Sequence, residues 1–265
     1  MLLTTSQILE KSWKTYTSNF KKILPFIVLF AVLFFLQSAP EIYNTLEAHY
    51  GLFINSAVVI LVGLLAFVTI FSIISLWALA ALSFFIRDVL HAEPVQKISG
   101  YLKNSKKYLW SLIFVSILVS LIIFGGALLF IVPGVIFSVW YAFITNTVLF
   151  EEKKGMEAMA ASKNLVIGRW WKILWRLIVP AFLYTIIAFV LVTVILWPFN
   201  GSSTFVQDYA LTDPSLLASS LSEPFGKSLP TVLLNNFVSS IIFALIIPLS
   251  TLSFIILYES AKENK

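Results

Sequence analysis

The chain has 265 residues, 59% of them hydrophobic and 12% charged, with a formal net charge of +5 and a mean hydropathy of +0.94. Globular domains carry about 45–50% apolar and about 25% charged residues, so too few polar side chains remain here to cover a water-facing surface, and disorder, which needs low hydropathy and high charge, is excluded as well. With no cysteine there is no disulfide, thiolate metal site or cysteine nucleophile, and His49 and His91 alone argue against a histidine-rich metal centre.

Residues 5–22 predict an amphipathic helix. Ile8, Leu9, Trp13, Tyr16 and Phe20 recur at helical spacing, Lys11, Lys14, Thr15, Ser18 and Lys22 fill the other positions, and Thr4 and Gln7 have capping-box spacing. A first apolar span covers 23–39, between Lys21-Lys22 and Pro40-Glu41. Its long charged approach, and Pro40 after the one candidate cleavage point, make it a retained span rather than a signal peptide. A second span lies within 52–86 and ends at Arg87-Asp88. Such a helix would be about 52 Å long against a hydrocarbon core of about 30 Å. One tilted helix, with its first turns around Asn55-Ser56 outside the core, is preferred to two spans turned at Gly63.

A second amphipathic segment, 94–109, begins at Pro94 and sets Ile98, Tyr101, Leu102, Tyr108 and Leu109 on one side. The third span is 108–131, and Pro133-Gly134 is expected to form a tight turn into the fourth, 135–150, which ends at Glu151-Glu152-Lys153-Lys154. A third amphipathic segment, 155–171, carries Met156, Met159, Ala160, Val166, Ile167 and Trp170. The fifth span, 177–197, precedes Pro198, and the sixth, 229–258, has Pro230 in its first turn. Between them, 198–228 holds turn signals at Asn200-Gly201, Asp213-Pro214 and Glu223-Pro224, with a short surface helix expected around Leu216, Leu217 and Leu221.

Stretches such as 112–123 and 186–197 are apolar on all sides, which excludes the alternation of barrel strands and leaves helices. The fold expected is therefore an all-α integral membrane domain over 1–265. Its six transmembrane helices form three hairpins, each preceded by a cytoplasmic interfacial amphipathic helix, in units 1–86, 87–150 and 151–265. The loops 1–22, 87–107, 151–176 and 259–265 carry 17 of the 18 Lys and Arg, leaving only Lys227 on the other face. The positive-inside rule then puts both termini in the cytoplasm. The first and third amphipathic segments align at an offset of 150, with Ser12, Phe20, Lys22, Ile23 and Leu24 on Ser162, Trp170, Lys172, Ile173 and Leu174. Either these are parallel repeats, or basic amphipathic stretches simply precede spans.

From the fourth span onward the order is distinctive: Leu128-Leu129-Phe130-Ile131-Val132-Pro133-Gly134, a span, Glu151, Gly155, then Ala158, Met159, Ser162, Leu165, Gly168, Arg169, Trp170 and Trp171. This resembles the membrane domain associated with bacterial glycerophosphodiester phosphodiesterases, and related YciC-type membrane proteins of unknown function. The resemblance implies an integral helical protein of the bacterial cytoplasmic membrane with no assigned reaction, and no residues remain for the phosphodiesterase barrel. Independently of it, Gly155 suits a left-handed turn, Ser162 and Gly168 suit close helix approach, and Trp170 and Trp171, with Trp175, form an aromatic belt beside Arg169, Lys172 and Arg176.

As drawn, the spans hold no Asp, Glu, Lys, Arg or His, which argues against proton-coupled transport and intramembrane aspartyl proteolysis. There is no phosphate-binding loop, HExxH or GxSxG. Glu151, Glu152 and Glu157 read as solvated charges beside Lys153 and Lys154, and His91 with Glu93 as interfacial. No catalytic, cofactor or metal site is expected. The intramembrane polar residues are amides and hydroxyls: Asn146 between Thr145 and Thr147, Asn235-Asn236, Ser250, Thr251 and Ser253 after Pro248, and Ser72, Ser75 and Ser83. They serve either helix packing or a polar cavity that takes a lipid headgroup or small solute. The leading expectation is a non-catalytic protein that organises the membrane or serves a larger assembly, with membrane lipids as partners and no nucleic acid. The alternative is a transporter or lipid-handling protein.

Overall fold

The computed structural model describes residues 2–50, 57–210 and 229–264, and the side chains of 2–46, 59–199 and 229–264. Every described element is a helix. The first, α1 (Thr5–Ser18), opens on a capping box in which Thr4 accepts from the Gln7 N–H and the Gln7 side chain accepts from the Thr4 N–H. It ends early, at Asn19, whose backbone N–H and side-chain amide both bond the Thr15 carbonyl, so the helix expected over 5–22 is two. Next come α2 (Phe20–Gln37), α3 (Ala39–Tyr50), α4 (Ala57–Leu90) and α5 (Ile98–Lys106). Pro40 stands in the first turn of α3, where its missing N–H costs nothing. Over its 34 residues α4 is unbroken at Gly63, while Asn55-Ser56 lie outside the described residues.

The following hairpin departs from expectation. The helices α6 (Leu109–Leu129) and α7 (Ile131–Trp140) are joined by Phe130 alone, in an extended conformation with φ −159° and ψ 147°. Pro133 and Gly134 are not the turn; they occupy the first turn of α7, where helix N–H groups have no intrahelical partner and proline is tolerated. Gly134 matters for approach: a Cβ there would lie 3.0 Å from the Ala127 Cβ and 3.1 Å from its Cα and N. The span expected as one helix over 135–150 also breaks, with α8 (Ile144–Phe150) following three turn residues, Tyr141–Phe143.

The third amphipathic segment is shorter than 155–171. Here α9 (Gly155–Val166) gives way at Gly168, which is left-handed at φ +79°, and α10 (Trp170–Ala210) starts directly afterwards. Gly168 therefore serves the backbone turn; a Cβ on it would meet nothing within 4 Å. Gly155 is left-handed too, at φ +50°. The 41 residues of α10 continue through Pro198 and Asn200-Gly201, so the expected turn there does not end the helix. The last helix is α11 (Leu229–Glu263). Lys227, and the surface helix expected around Leu216, Leu217 and Leu221, lie outside the described residues.

Among the described residues six stretches are long and apolar enough to cross a membrane: Phe20–Leu46, Val59–Leu90, Leu109–Leu129, Ile131–Phe150, Trp170–Phe199 and Leu229–Glu263. Phe114, Leu121 and Phe124 of α6, and Phe182, Phe189 and Val194 of α10, are each more than half exposed, as suits helices that face lipid. The chain forms two compact units, one of residues 1–27, 73–184 and 247–265, the other of 28–72 and 185–246.

In the first unit one core cluster gathers Val139, Phe143, Leu165, Val166, Ile173 and Ile256, and another gathers Leu112, Val115, Val148, Leu149, Ala158 and Met159. The amphipathic helix α9 thus contributes to the protein core. In the second unit Phe34 meets Phe243 with ring centroids 6.4 Å apart, and Phe35 meets Phe237 at 6.2 Å. The 150-residue offset recurs in the helix boundaries. Thr5 and Gly155 each open a helix, Phe20 and Trp170 each open the next, and Ile8, Ser12, Tyr16 and Ile23 are buried, as are Ala158, Ser162, Val166 and Ile173.

Candidate functional site

Within the first unit, α4, α8, α10 and α11 line a half-open cavity of about 510 Å³, inside the range of about 300–1,000 Å³ usual for small-molecule sites. Leu79, Leu177, Pro180, Ile247, Phe254 and Leu257 give it an apolar wall. The polar side chains are Ser83, Thr145, Asn146, Arg176, Tyr184 and the hydroxyls of Ser250, Thr251 and Ser253.

Most of those hydroxyls are satisfied. Ser250 and Thr251 donate to the Ile247 carbonyl at 2.9 and 2.8 Å, and Ser83 donates to the Leu79 carbonyl at 2.8 Å. Ser12 donates to the Ile8 carbonyl at 2.6 Å and Ser253 donates to Ser12 at 2.9 Å. Ser253 also reaches the Leu249 carbonyl at 3.2 Å, and its hydroxyl lies 2.7 Å from that of Tyr184. Tyr184, Ser253 and Ser12 thus form one hydroxyl cluster anchored on backbone carbonyls.

Two donors on this wall are different. The side-chain amide nitrogen Nδ2 of Asn146 and Nη1 of Arg176 are buried and have no hydrogen-bond partner among the described residues. Asn146 is 1% exposed. Arg176 uses Nη2 on the Leu2 carbonyl at 3.3 Å. An unsatisfied buried donor costs about 1–3 kcal/mol, more when charged, so these two set this wall apart from the satisfied hydroxyls around it.

A second pocket, of about 650 Å³, lies among the charged side chains of 87–108 and Glu152. Its groups largely satisfy one another. Tyr101 donates to Asp88 at 2.8 Å, Lys107 pairs with Glu152 at 3.3 Å, and the Arg87 guanidinium lies over the Phe84 and Phe150 rings. Burial, with Asp88 beside it, pushes the Tyr101 hydroxyl up to about 12. This is a structural network.

The residues singled out in the sequence fall in several places. Asn146 lines the cavity. Asn235 and Asn236 do not; Asn236 donates to Glu41 at 3.1 Å in the second unit. Ser162, fully buried, donates to the Trp140 carbonyl at 2.8 Å and so satisfies the end of α7 where the span breaks. Trp170 donates to the Ile136 carbonyl at 3.4 Å and meets Trp171 edge-on, with Trp171 67% exposed. Pro133, Gly134, Gly155 and Gly168 shape backbone alone. Glu151 is engaged rather than solvated: Lys153, Tyr258 and Lys262 reach it at 2.8, 2.7 and 3.3 Å. Tyr184 escaped the sequence reading, and Arg176 was read there only as a cation beside the aromatic belt. Because α10 starts at Trp170, Arg176 sits inside a helix rather than in the belt before one; its signal was the apolar run that follows it without a cap or break. Among the described residues no group of three or more His, Asp or Glu converges on a metal-sized site. No family model matches the chain, and neither a curated protein nor a solved structure matches it.

Proposed function

We propose that this is a non-catalytic, lipid-handling protein of the bacterial cytoplasmic membrane that holds an amphiphile in the cavity of its first unit. The observation that carries the reading is Asn146: an amide 1% exposed, on the wall of a mostly apolar cavity, whose Nδ2 has no partner among the described residues. Packing amides in apolar surroundings bond a neighbouring helix; this one offers its donor to whatever enters. Both termini lie on the cytoplasmic side, by the segregation of Lys and Arg. The matched helix boundaries and buried positions at an offset of 150 support an internal duplication of the α1–α2 and α9–α10 segments. The resemblance to the membrane domain of glycerophosphodiester phosphodiesterases agrees with a role close to lipids.

A membrane-organising role without a ligand is the second reading. It is favoured by the way α9 is built into the core, which suits a purely structural protein. Native mass spectrometry of the full chain released from its own membrane separates the two. The cavity reading expects co-purified lipid on the wild type and its loss from Ser250→Phe, which puts a ring into the polar end of the cavity, at unchanged melting temperature. Equal lipid retention by both chains would favour the structural role.

A further inference from the structure

Arg176 carries a permanent positive charge on the wall of a cavity that, among the described residues, no carboxylate lines. Among the described ion pairs none includes Arg176. Its guanidinium is held by the Leu2 carbonyl through Nη2 and leaves Nη1 buried and unpartnered, as Asn146 leaves Nδ2. Arg176 is half-buried, with Nη1 fully inaccessible; a guanidinium against an apolar wall is stabilised by a counter-charge and by acceptors for its remaining donors. The neighbouring hydroxyls carry no charge to offer; those of Ser250, Thr251 and Ser83 donate to backbone carbonyls and that of Ser253 to Ser12 or the Leu249 carbonyl, and among the described residues no oxygen accepts from Arg176 Nη1 or Asn146 Nδ2.

From this we infer that the cavity binds an oxyanion, a phosphate or carboxylate group, through Arg176 with Asn146 as second donor. The inference rests on the amphiphile reading above and gives that amphiphile a negatively charged head and a tail along the apolar wall. A phosphate or carboxylate matches the guanidinium in charge and in paired acceptors, and its oxygens also accept from a neutral amide. Arg176 is a binding residue, and Asn146 fixes the orientation of the head.

The test uses the full chain in a maltoside micelle, with three probes: dodecyl phosphate, dodecanol with the same tail and no charge, and inorganic phosphate alone. Retention is read by native mass spectrometry and by thermal shift. Wild type should hold dodecyl phosphate at least about tenfold better than dodecanol, the ratio that one charge-assisted hydrogen bond supplies. Arg176→Gln should erase that preference and Arg176→Lys should keep most of it. Should Arg176→Gln not fold, Asn146→Leu is the substitute, expected to weaken the phosphate and spare the alcohol. Inorganic phosphate that protects the chain through Arg176 as well as dodecyl phosphate does would support the oxyanion site and assign its source to a free solute. Equal retention of dodecyl phosphate and dodecanol by the wild type would overturn the oxyanion inference. The amphiphile reading would survive that result if Ser250→Phe still expelled both; full retention of both by Ser250→Phe would overturn the two together.

Discussion

The Tyr258 hydroxyl donates to Glu151 Oε1 at 2.7 Å, and Lys262, one turn further along α11, approaches the same oxygen at 3.3 Å. Lys153 takes the other oxygen at 2.8 Å. The carboxylate thus ties the loop between α8 and α9 to the end of the chain. Burial pushes the Glu151 carboxyl up, but the Lys153 and Tyr258 hydrogen bonds and the Lys262 charge outweigh it and bring the value from 4.5 down to about 2. A depressed carboxylate contributes stability that is complete above its unfolded value and is lost as pH falls through its folded one. Melting temperature should therefore decline between about pH 4.5 and about pH 2. Glu151→Gln should lower it at neutral pH and flatten that decline, whereas Glu157→Gln, at an exposed position, should leave the profile unchanged. An unaltered profile in Glu151→Gln would show the latch to be idle.

Gly168 lets the chain leave α9 and enter α10 with φ +79°, and no atom stands within 4 Å of where its Cβ would be. The sequence alone suggested a small residue for close approach, for which Leu should be far worse than Ala. The structure replaces that with backbone strain, which depends on the presence of a Cβ and not on its size. Gly168→Ala and Gly168→Leu should each cost about 1–2 kcal/mol, and Gly168→Asn less, because asparagine tolerates the left-handed region. Unfolding in a denaturing detergent series measures all three. A Leu variant several kcal/mol below the Ala variant would restore the overpacking account.

Helix existence was legible because it follows from local composition: long all-apolar runs leave the backbone no other way to pair. Helix ends were less so. Pro133-Gly134 reads as a turn by local rules, yet proline is equally at home in a first helical turn, and only the approach to Ala127 shows what Gly134 is for. The break at Tyr141–Phe143 has neither glycine nor proline to announce it. It is compensated by Ser162, which is distant in sequence and bonds the freed Trp140 carbonyl. Asn146 was recognisable as an amide inside a span, but whether it had a partner is a tertiary fact. Arg176 was hidden by its neighbours: tryptophans and cations before it made it look interfacial, until the start of α10 at Trp170 put it within the helix.

The proposed orientation is open to a thiol experiment, which the cysteine-free sequence makes clean. Ser105 is buried and a thiol there would be silent whatever its side, so the exposed neighbour Asn104 is the better reporter. Asn44, also exposed, stands in α3 towards the far end of the first membrane-length stretch and reports on the opposite side. In intact cells an impermeant maleimide should label Asn44→Cys and leave Asn104→Cys unlabelled until the cells are opened. Labelling of Asn104→Cys in intact cells would invert the orientation.

Two asparagines of the spans should respond to leucine with opposite signs. The Asn236 amide donates to Glu41 at 3.1 Å at an exposed position, so Asn236→Leu removes a made hydrogen bond and should destabilise by about 0.5–1.5 kcal/mol. The Asn146 Nδ2 is buried without a partner, so the folded protein already bears the cost of an unsatisfied donor, about 1–3 kcal/mol. Leucine is close to asparagine in size and carries no donor. Asn146→Leu should leave the ligand-free chain as stable as wild type or raise its melting temperature, while the protection that added amphiphile gives is reduced. The comparison must be made on delipidated protein, since a bound ligand that satisfies Nδ2 would reverse the sign for the wild type. Thermal melts of both variants, each with and without dodecyl phosphate, give the four values needed. A ligand-free Asn146→Leu chain that melts well below wild type would mean that the amide holds the helices together, and that the cavity is a by-product of their packing.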